Sequence, residues 1–235
     1  PTMGGNACEA DDEINTSGAW DALDEATLTD RRANYTALIA NTVAEKAASL
    51  LYAWVPAGDD FLAQLTEAGD GSRTYGNQRV AINAVSDAFG YVEWAIKENK
   101  LSRPLGIPGC DQSDCTDYLE ARFSRRSKEH LRNNMLGFRK LFKGCGPENE
   151  GLGFDDYLYA MGAPSLAENI DRRALAALDA LDAIEEPDLV TALENDVESV
   201  AAVREAITML SSLLRNEFLV ALRLELPQMV QGDND

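Results

Sequence analysis

The sequence predicts an all-α protein, built as an up-down helical bundle, and three observations support this prediction. Apolar residues recur at steps of three and four along most of the chain, which places them on one face of a helix. No segment shows the sustained alternation of apolar and polar residues that a half-buried strand requires. Glycine and proline separate the periodic segments, and several connections are short enough to make neighbouring helices antiparallel.

The first periodic segment divides the chain into an irregular start, residues 1–30, and a helical bundle domain, residues 31–235. Thr29 and Asp30 precede this segment and suit the N-cap of the first helix, while Pro56 ends it. Its apolar stripe consists of Leu38, Ile39, Val43, Leu50, Leu51 and Trp54. The stripe predicts a long amphipathic helix.

Later stripes predict a short helix and then four longer ones. The longer stripes run through residues 80–96, 131–142, 166–181 and 193–218. The helix that contains the second of these stripes is predicted to begin at Ser127 and to close at Gly144. The tryptophans, Trp20, Trp54 and Trp94, and the other aromatic residues occur mostly at helical spacing, so we expect them to pack in the core.

A loop at residues 100–126 interrupts the helices near the middle of the chain and holds the candidate ligand-binding residues. Pro104 biases Arg103 away from the α-helical region, which predicts a turn that presents Arg103 at one end of the bundle. The guanidinium of Arg103 suits a carboxylate or another anion, and Glu120 is a candidate partner for it. Ser124 either caps a helix or contacts a bound group.

The chain has four cysteines, Cys8, Cys110, Cys115 and Cys145, all in loop-like and mostly glycine-rich contexts. An even number of cysteines in such contexts favours disulfides and an oxidising compartment. Three pairings are open, of which we prefer a local Cys110–Cys115 bridge; four free thiols in a cytosolic protein remain the alternative. No CxxC pair occurs, and the single histidine is distant in sequence, so a structural zinc site is poorly supported.

The formal net charge is -19, and it restricts the class of partner. Binding to nucleic acid requires clustered Lys and Arg, and docking on anionic lipid requires the same, so both are disfavoured. Attraction to cations and simple solubility are both compatible with the charge. No apolar stretch is long enough to predict a transmembrane helix, and no secretory signal is visible. His130 lies on the polar flank of a predicted helix, and we predict neither a catalytic residue nor a metal ligand set.

Several ordered segments make the chain similar to the imelysin family. They are "RRANYTALIANTVAEKAASLLYAW", "KLSRPLG", "YLEARFSRRSKEHLRNNMLGFRKLFKG", "GLGFDDYLYAMGAPSLAENIDRRALAALDALDAI" and "LLRNEFLVALRLELPQMVQGDND". The most specific positions, besides the RPLG stretch, are Glu120, Ser124, Ser127, Asn134, Gly137, Leu141 and Gly144. The sequence departs from the family pattern at Ala121, where a serine is expected, which weakens the transfer of a role to this loop.

The resemblance implies a protein of two helical bundles, exported to the bacterial periplasm or associated with the outer membrane. Imelysin-like proteins are linked to iron acquisition, and some carry a metallopeptidase label. The family's GxHxxE motif is absent here, since His130 is followed by Leu-Arg-Asn. The resemblance therefore implies that this chain is the C-terminal half of the fold. Its partners would be the missing N-terminal half and iron-uptake components.

From the resemblance we expect a binding or uptake-accessory role in iron acquisition. Arg103, Glu120 and Ser124 would form one wall of the ligand cleft. The chain itself would hold no cofactor, while iron or another divalent metal would bind in the full-length protein. The alternatives are a metal-dependent peptidase, whose motif-bearing half lies outside this chain, and a helical protein-interaction module without a small ligand.

Overall fold

A computed structural model of the chain describes residues 13–107, 109 and 115–227. Within these residues every regular element is helical, which confirms the predicted all-α class. The chain divides into two compact units, Pro1–Gln78 and Arg79–Asp235, and the sequence analysis predicted no boundary near residue 78. Among the described helices, none is both long and apolar enough to span a lipid bilayer.

The first unit is dominated by one long helix. Its helices are α1 (Glu13–Thr16), α2 (Glu25–Trp54) and α3 (Phe61–Thr66). The predicted N-cap of α2 at Thr29 or Asp30 is wrong, because the helix begins at Glu25 and is capped by Asp24. The Asp24 carboxylate accepts a hydrogen bond from the backbone N–H of Thr27 at 2.9 Å and so satisfies a donor that the first turn leaves free.

The apolar stripe of α2 forms as predicted, but its side chains are exposed. No residue of this helix is buried, although its exposed face carries large apolar side chains: Tyr35, Leu38, Ile39, Val43, Leu50, Leu51, Tyr52 and Trp54. The expectation that all three tryptophans pack in the core is wrong, because Trp54 and Trp94 are exposed and Trp20 is half-buried. Phe61 instead supplies the local packing, with its ring 5.1 Å from Trp54 and 6.2 Å from Tyr75.

The second unit contains the larger hydrophobic core. Its main helices are α4 (Gln78–Ser86), which starts at the boundary, a π-helical segment (Val92–Ser102), α5 (Ser127–Lys143), α6 (Phe154–Ala160), α7 (Pro164–Asp182), α8 (Leu189–Asn195) and α9 (Val197–Leu213). A second π-helical segment (Leu214–Phe218) and α10 (Leu219–Leu222) continue α9. Helix α7 packs against α5, α6 and α9, and the first π-helical segment packs against α9 and α5.

Aromatic rings meet at the centre of this core. Phe89 makes edge-on contacts with Phe138, Phe142, Phe154 and Phe218, at centroid distances from 5.0 to 6.3 Å. Edge-on contact is a favoured geometry for aromatic pairs, since the positive edge of one ring faces the negative face of the other. Phe138 and Phe142 lie on α5, Phe154 lies on α6 and Phe218 lies in the second π-helical segment, so these contacts join several elements of the bundle.

Helix α5 matches its predicted bounds. It runs from Ser127 to Lys143 and is followed by Gly144, and its four stripe residues, Leu131, Met135, Phe138 and Phe142, are all buried. Gly144 adopts a φ of 88°, which glycine reaches without the strain that a Cβ atom would cause. The stripe and the stop signal together therefore located this helix from sequence.

The helix predicted from the stripe at residues 80–96 is not continuous. After α4 the chain forms a 3₁₀ turn (Asp87–Phe89) and then the first π-helical segment. The expectation that Pro104 holds Arg103 outside the α-helical region is wrong, because Arg103 has φ -61° and ψ -49°. The backbone N–H of Arg103 donates to the carbonyl of Glu98, an i to i−5 bond of 3.1 Å. This wider turn relieves the clash that a proline ring makes with a normal α-helical turn.

The first π-helical segment buries an ion pair. Glu93 and Lys97 are 3% and 2% exposed, and Lys97 Nζ lies 2.5 Å from Glu93 Oε1. Glu98 Oε1 lies 3.1 Å from Lys97 Nζ, and Arg215 Nη1 lies 3.5 Å from Glu93 Oε1. Buried charges are expensive to desolvate unless they are paired, so these side chains depend on one another. The sequence analysis missed this network because a Glu–Lys pair at i and i+4 is normally found on a solvated helix face.

Asp188 caps α8, and its removal is expected to destabilise the second unit. Its Oδ1 accepts hydrogen bonds from the N–H groups of Val190 at 2.9 Å and Thr191 at 3.1 Å, and its Oδ2 lies 3.1 Å from Arg125 Nη1. Burial raises the pKa of Asp188, but the Thr191 N–H and the Arg125 charge outweigh it, so the pKa is lowered. Substituting Asp188→Ala should cost about 1–2 kcal/mol at neutral pH, measured by urea unfolding.

The same capping predicts a pH dependence. Because the folded-state pKa of Asp188 lies below its unfolded value, its stabilising effect is complete above the unfolded pKa of about 4. The effect is lost as the pH falls through the lower, folded-state pKa. The difference in unfolding free energy between wild type and Asp188→Ala should therefore shrink in acid. A difference that stays constant from pH 7 down to pH 2 would contradict this account.

Candidate functional site

Lys100, near the end of the first π-helical segment, organises a polar cluster with residues from the central loop and α5. Its Nζ lies 2.9 Å from Glu120 Oε2 and donates to Asn134 Oδ1 at 2.8 Å. The same Nζ lies 5.4 Å from the centroid of the Tyr91 ring, within reach of a cation–π interaction. One ammonium thus connects three elements that are distant in sequence.

This ammonium is held in its charged form. Burial pulls the pKa of Lys100 down, but its hydrogen bonds with Tyr91 and Glu120, together with their charge interactions, raise the pKa above its ordinary value. Lys100 therefore stays cationic at any physiological pH and supplies a fixed positive charge beside Glu120.

The chain's single histidine also lies close to Glu120. His130 Nδ1 is 3.7 Å from Glu120 Oε2, and the two side chains are 46% and 50% exposed, so both are accessible from solvent. We call these two residues the Glu120–His130 pair. Sequence reasoning identified Glu120 and missed His130, because ten positions and a loop separate them and neither residue type nor spacing indicated the contact.

The chemistry of the pair suits a transition metal. A neutral imidazole nitrogen and a carboxylate oxygen are both ligands for divalent iron. If Glu120 turned toward a metal ion, Lys100 would keep its contacts with Asn134 and Tyr91. In the part of the chain that the structure describes, no group of three or more His, Cys, Asp or Glu side chains could hold a metal ion. The pair therefore provides two ligands and not a complete coordination shell.

The three residues predicted to share a cleft wall have different surroundings. Arg103 is exposed at the end of the first π-helical segment, and among the described residues no hydrogen bond or ion pair joins it to Glu120 or Ser124. The Ser124 hydroxyl donates to the carbonyl of Ala121 at 3.3 Å, inside its own loop. Only Glu120 belongs to the cluster around Lys100, so the role of the other two stays a prediction.

Ser124 lines a cleft of the second unit, whose basic side chains already form hydrogen bonds and ion pairs. The cleft has a volume of about 380 Å³. Lys128 Nζ donates to the backbone carbonyls of Ile184 at 2.6 Å and Glu186 at 3.1 Å, beyond the C-terminal end of α7. Arg132 Nε lies 3.0 Å from Asp182 Oδ1. These contacts make the cleft a structural junction between α5 and the segment after α7.

Of the four cysteines proposed to form disulfides, only Cys115 and Cys145 are among the described residues. Cys8 and Cys110 lie outside the described residues, so the preferred Cys110–Cys115 bridge stays a prediction. Cys145 carries a free, exposed thiol, and its inclusion among the disulfide candidates is wrong. It lies directly after Gly144 in the turn that follows α5, and no described cysteine pairs with it there.

A family model described as Imelysin matches residues 15–216, which is most of the chain and includes the whole cluster around Lys100. Neither a curated protein nor a solved structure matches the chain.

Proposed function

Because this chain belongs to the imelysin family, we propose that it binds iron as an accessory of iron acquisition and is not itself a catalyst. The observation that supports this proposal is the Glu120–His130 pair, with Nδ1 and Oε2 3.7 Å apart on an accessible surface. Ligands from outside the described residues would complete the coordination shell. Ferrous iron is the cargo in this proposal and not a resident cofactor.

The charges around the pair are compatible with a cationic cargo. The formal net charge of -19 raises the local concentration of cations around the chain. The fixed charge of Lys100 opposes a cation at the pair, and this repulsion would limit the affinity. A weakly held ion suits a protein that must also release its cargo.

Removing either side chain of the pair should weaken iron binding. We expect Glu120→Gln and His130→Gln each to weaken ferrous iron binding by at least about tenfold, because each variant deletes one ligand. Calorimetric titration of the purified chain with ferrous iron under anaerobic conditions measures this. Glu129→Gln is the matched control, since Glu129 is an exposed neighbour on α5 that pairs with Arg126.

The outcomes of this titration separate a site from general attraction. The control should stay within about twofold of wild type, because it removes the same charge without touching the pair. If all three variants bind iron alike, the acidic surface and not the pair attracts the metal, and the proposal fails.

We also propose that the protein is located in the bacterial periplasm or at the outer membrane, as an exported component that works with iron-uptake proteins and with the GxHxxE-bearing half of the family fold. Family membership supports this location. Fractionation of cells that express the native gene would test it. Recovery of the protein with cytoplasmic markers would refute it.

A metal-dependent peptidase is the second candidate function, and the peptidase label of the family model favours it. A catalytic zinc normally uses three protein ligands and an activated water, and the pair supplies two of the three. Casein hydrolysis by the purified chain that a chelator abolishes would establish this activity in place of the binding role.

A helical interaction module is the third candidate, and the exposed apolar face of α2 favours it. Large apolar patches on a soluble protein commonly mark a contact surface. Sedimentation at increasing protein concentration would reveal association through this face. Substituting Leu50→Glu should abolish that association if the face carries it.

A further inference from the structure

A groove runs along one face of α5, between this helix and the chain from the 3₁₀ turn into the first π-helical segment; we call it the α5 groove. Its volume is about 240 Å³, and a cavity of about 150 Å³ is enough to hold a benzene ring. Among the described residues that line it none is acidic, although the chain has 40 Asp and Glu residues. Its buried lining side chains are Phe89, Val92, Ile96 and Phe138. The groove therefore suits an apolar ligand and not a cation.

Gly137 lies in the interior of α5 and leaves the groove open on one side. Glycine within a helix destabilises it by about 0.5–1 kcal/mol relative to alanine, and a closely packed neighbour often explains why one is present. No such neighbour exists here, because a Cβ atom added at Gly137 would meet no described atom within 4 Å outside its own helix backbone. The absent side chain leaves room for an occupant that the described part of the chain does not supply.

Asn134 supplies a hydrogen-bond donor at one end of the groove. Its Oδ1 accepts from Lys100 Nζ at 2.8 Å, and an ammonium can only donate, so the amide nitrogen Nδ2 is left for other partners. This nitrogen donates to no described residue, and it is accessible from solvent. Hydrogen bonds in a chain polarise one another, so the amide that accepts from an ammonium is a stronger donor than an ordinary amide. Such a donor favours an anionic acceptor.

Aromatic side chains adjoin this donor. Tyr91 lines the groove with 37% of its surface exposed, and its ring lies 5.4 Å from the same Lys100 Nζ. Deeper in the groove, the rings of Phe89 and Phe138 meet edge-on at 5.4 Å. Aromatic rings pack favourably against a further ring in edge-on or offset geometry. The groove thus combines a place for one ring with a donor for an acid group.

We propose that the α5 groove binds a small aromatic carboxylate. The ring of the ligand lies in the space between Tyr91 and Gly137, and its carboxylate accepts a hydrogen bond from Asn134 Nδ2. The positive charge of Lys100, one hydrogen bond behind this amide, stabilises the negative charge of the ligand.

The charges around the groove limit the affinity and keep this site separate from the iron site. Glu120 lies 2.9 Å from Lys100 Nζ and offsets part of its positive charge. Neither Glu120 nor His130 lines the groove. Failure of either proposal would therefore leave the other unaffected.

Equilibrium dialysis of the purified chain against phenylacetate tests the proposal, in about 0.15 M salt to screen general electrostatic attraction. We expect saturable binding of one molecule per chain. Acetate lacks the ring and benzylammonium reverses the charge, so each should bind at least about tenfold more weakly. This order separates the groove from the acidic surface, because a chain with a formal net charge of -19 attracts the cation in preference to the anion.

Gly137→Leu fills the groove without disturbing the fold. The position is exposed within α5, and leucine has a higher helix propensity than glycine, so the variant should unfold at a temperature no lower than wild type. Its affinity for phenylacetate should fall at least about tenfold, because the new side chain occupies the place of the ring. Ala201→Leu is the matched control, since it adds leucine at an exposed position on α9 that does not line the groove. This control should stay within about twofold of wild type.

Asn134→Asp tests the donor. The variant keeps an oxygen that accepts from Lys100 and replaces the N–H donor with a negatively charged acceptor, so phenylacetate binding should fall at least about tenfold. An unchanged affinity would contradict the position assigned to the carboxylate, and the proposal with it.

Three further results would overturn the proposal: no binding of phenylacetate, equal binding of benzylammonium, or equal effects of Gly137→Leu and Ala201→Leu. The first would assign the space beside Gly137 to close contact with another helix, for which glycine is equally suited. The second and third would reduce the binding to general attraction by the protein surface.

Discussion

Substituting Lys97→Met should lower the free energy of unfolding of the second unit by about 3 kcal/mol or more. The variant leaves Glu93 buried without the ammonium that lies 2.5 Å from its Oε1, and it removes the cation beside Glu98. Arg215, 3.5 Å from Glu93, remains and offsets part of the loss, which places the expected cost at the lower end of the range for broken buried pairs. Urea unfolding followed by circular dichroism measures the change.

The double variant Glu93→Leu with Lys97→Met tests the physical reason. Replacing both charges removes the uncompensated carboxylate, so the pair of substitutions should cost less than Lys97→Met alone. If the double variant is less stable than the single one, the two charges do not act as a mutually dependent pair, and this interpretation of the π-helical segment is wrong.

The second large effect concerns the aromatic core. Phe142 is fully buried on α5 and its ring contacts Phe89, Phe138 and Phe218, so Phe142→Ala should destabilise the second unit by about 3–5 kcal/mol. The loss combines the lost burial of the ring with the cavity left between helices. Thermal unfolding at matched protein concentration would measure it.

Phe123→Ala provides the comparison for this variant. Phe123 lies in the central loop with 80% of its surface exposed, so its removal should change the unfolding free energy by no more than about 0.5 kcal/mol. Equal costs for the two phenylalanines would mean that the core does not lie where the structure places it.

The regular α-helices were predictable from sequence because their burial follows a period of 3.6 residues. In α5 the stripe, the start at Ser127 and the stop at Gly144 all agree with the structure. In α2 the same period located the helix, yet every stripe residue is exposed. Periodicity therefore predicts which face of a helix is apolar, while what covers that face depends on tertiary contacts.

The π-helical segments were not predictable in this way. A π-helix has more residues in each turn than an α-helix, so the buried face drifts from the position that an α-helical period assigns. Within the first segment, Val92 and Ile96 are buried as the stripe predicts, but Glu93 and Lys97, one position further along, are buried as well. No sequence signal marks where the winding changes, so nothing corrected the ordinary expectation that a Glu–Lys pair at i and i+4 lies on a solvated face.

One residue of the Glu120–His130 pair was predicted from the sequence and the other was not. Glu120 was identified from its place in the loop and in the family pattern, whereas His130 was dismissed because its own helix gave it no partner. The contact between them depends on how the loop at residues 119–126 lies against α5, which is set by packing such as the burial of Leu119. Residue types and spacing within one segment cannot reveal a contact made across a loop.

The most direct test of the central claim, that the Glu120–His130 pair binds the cargo, uses the fact that the chain has one histidine. Proton NMR resolves the ring signals of His130 without assignment, and ferrous iron broadens signals of the nuclei close to it. We predict that substoichiometric ferrous iron broadens the His130 ring signals in the wild type and leaves them sharp in Glu120→Gln. Ring signals that stay sharp in the wild type while iron binds the chain would contradict the account.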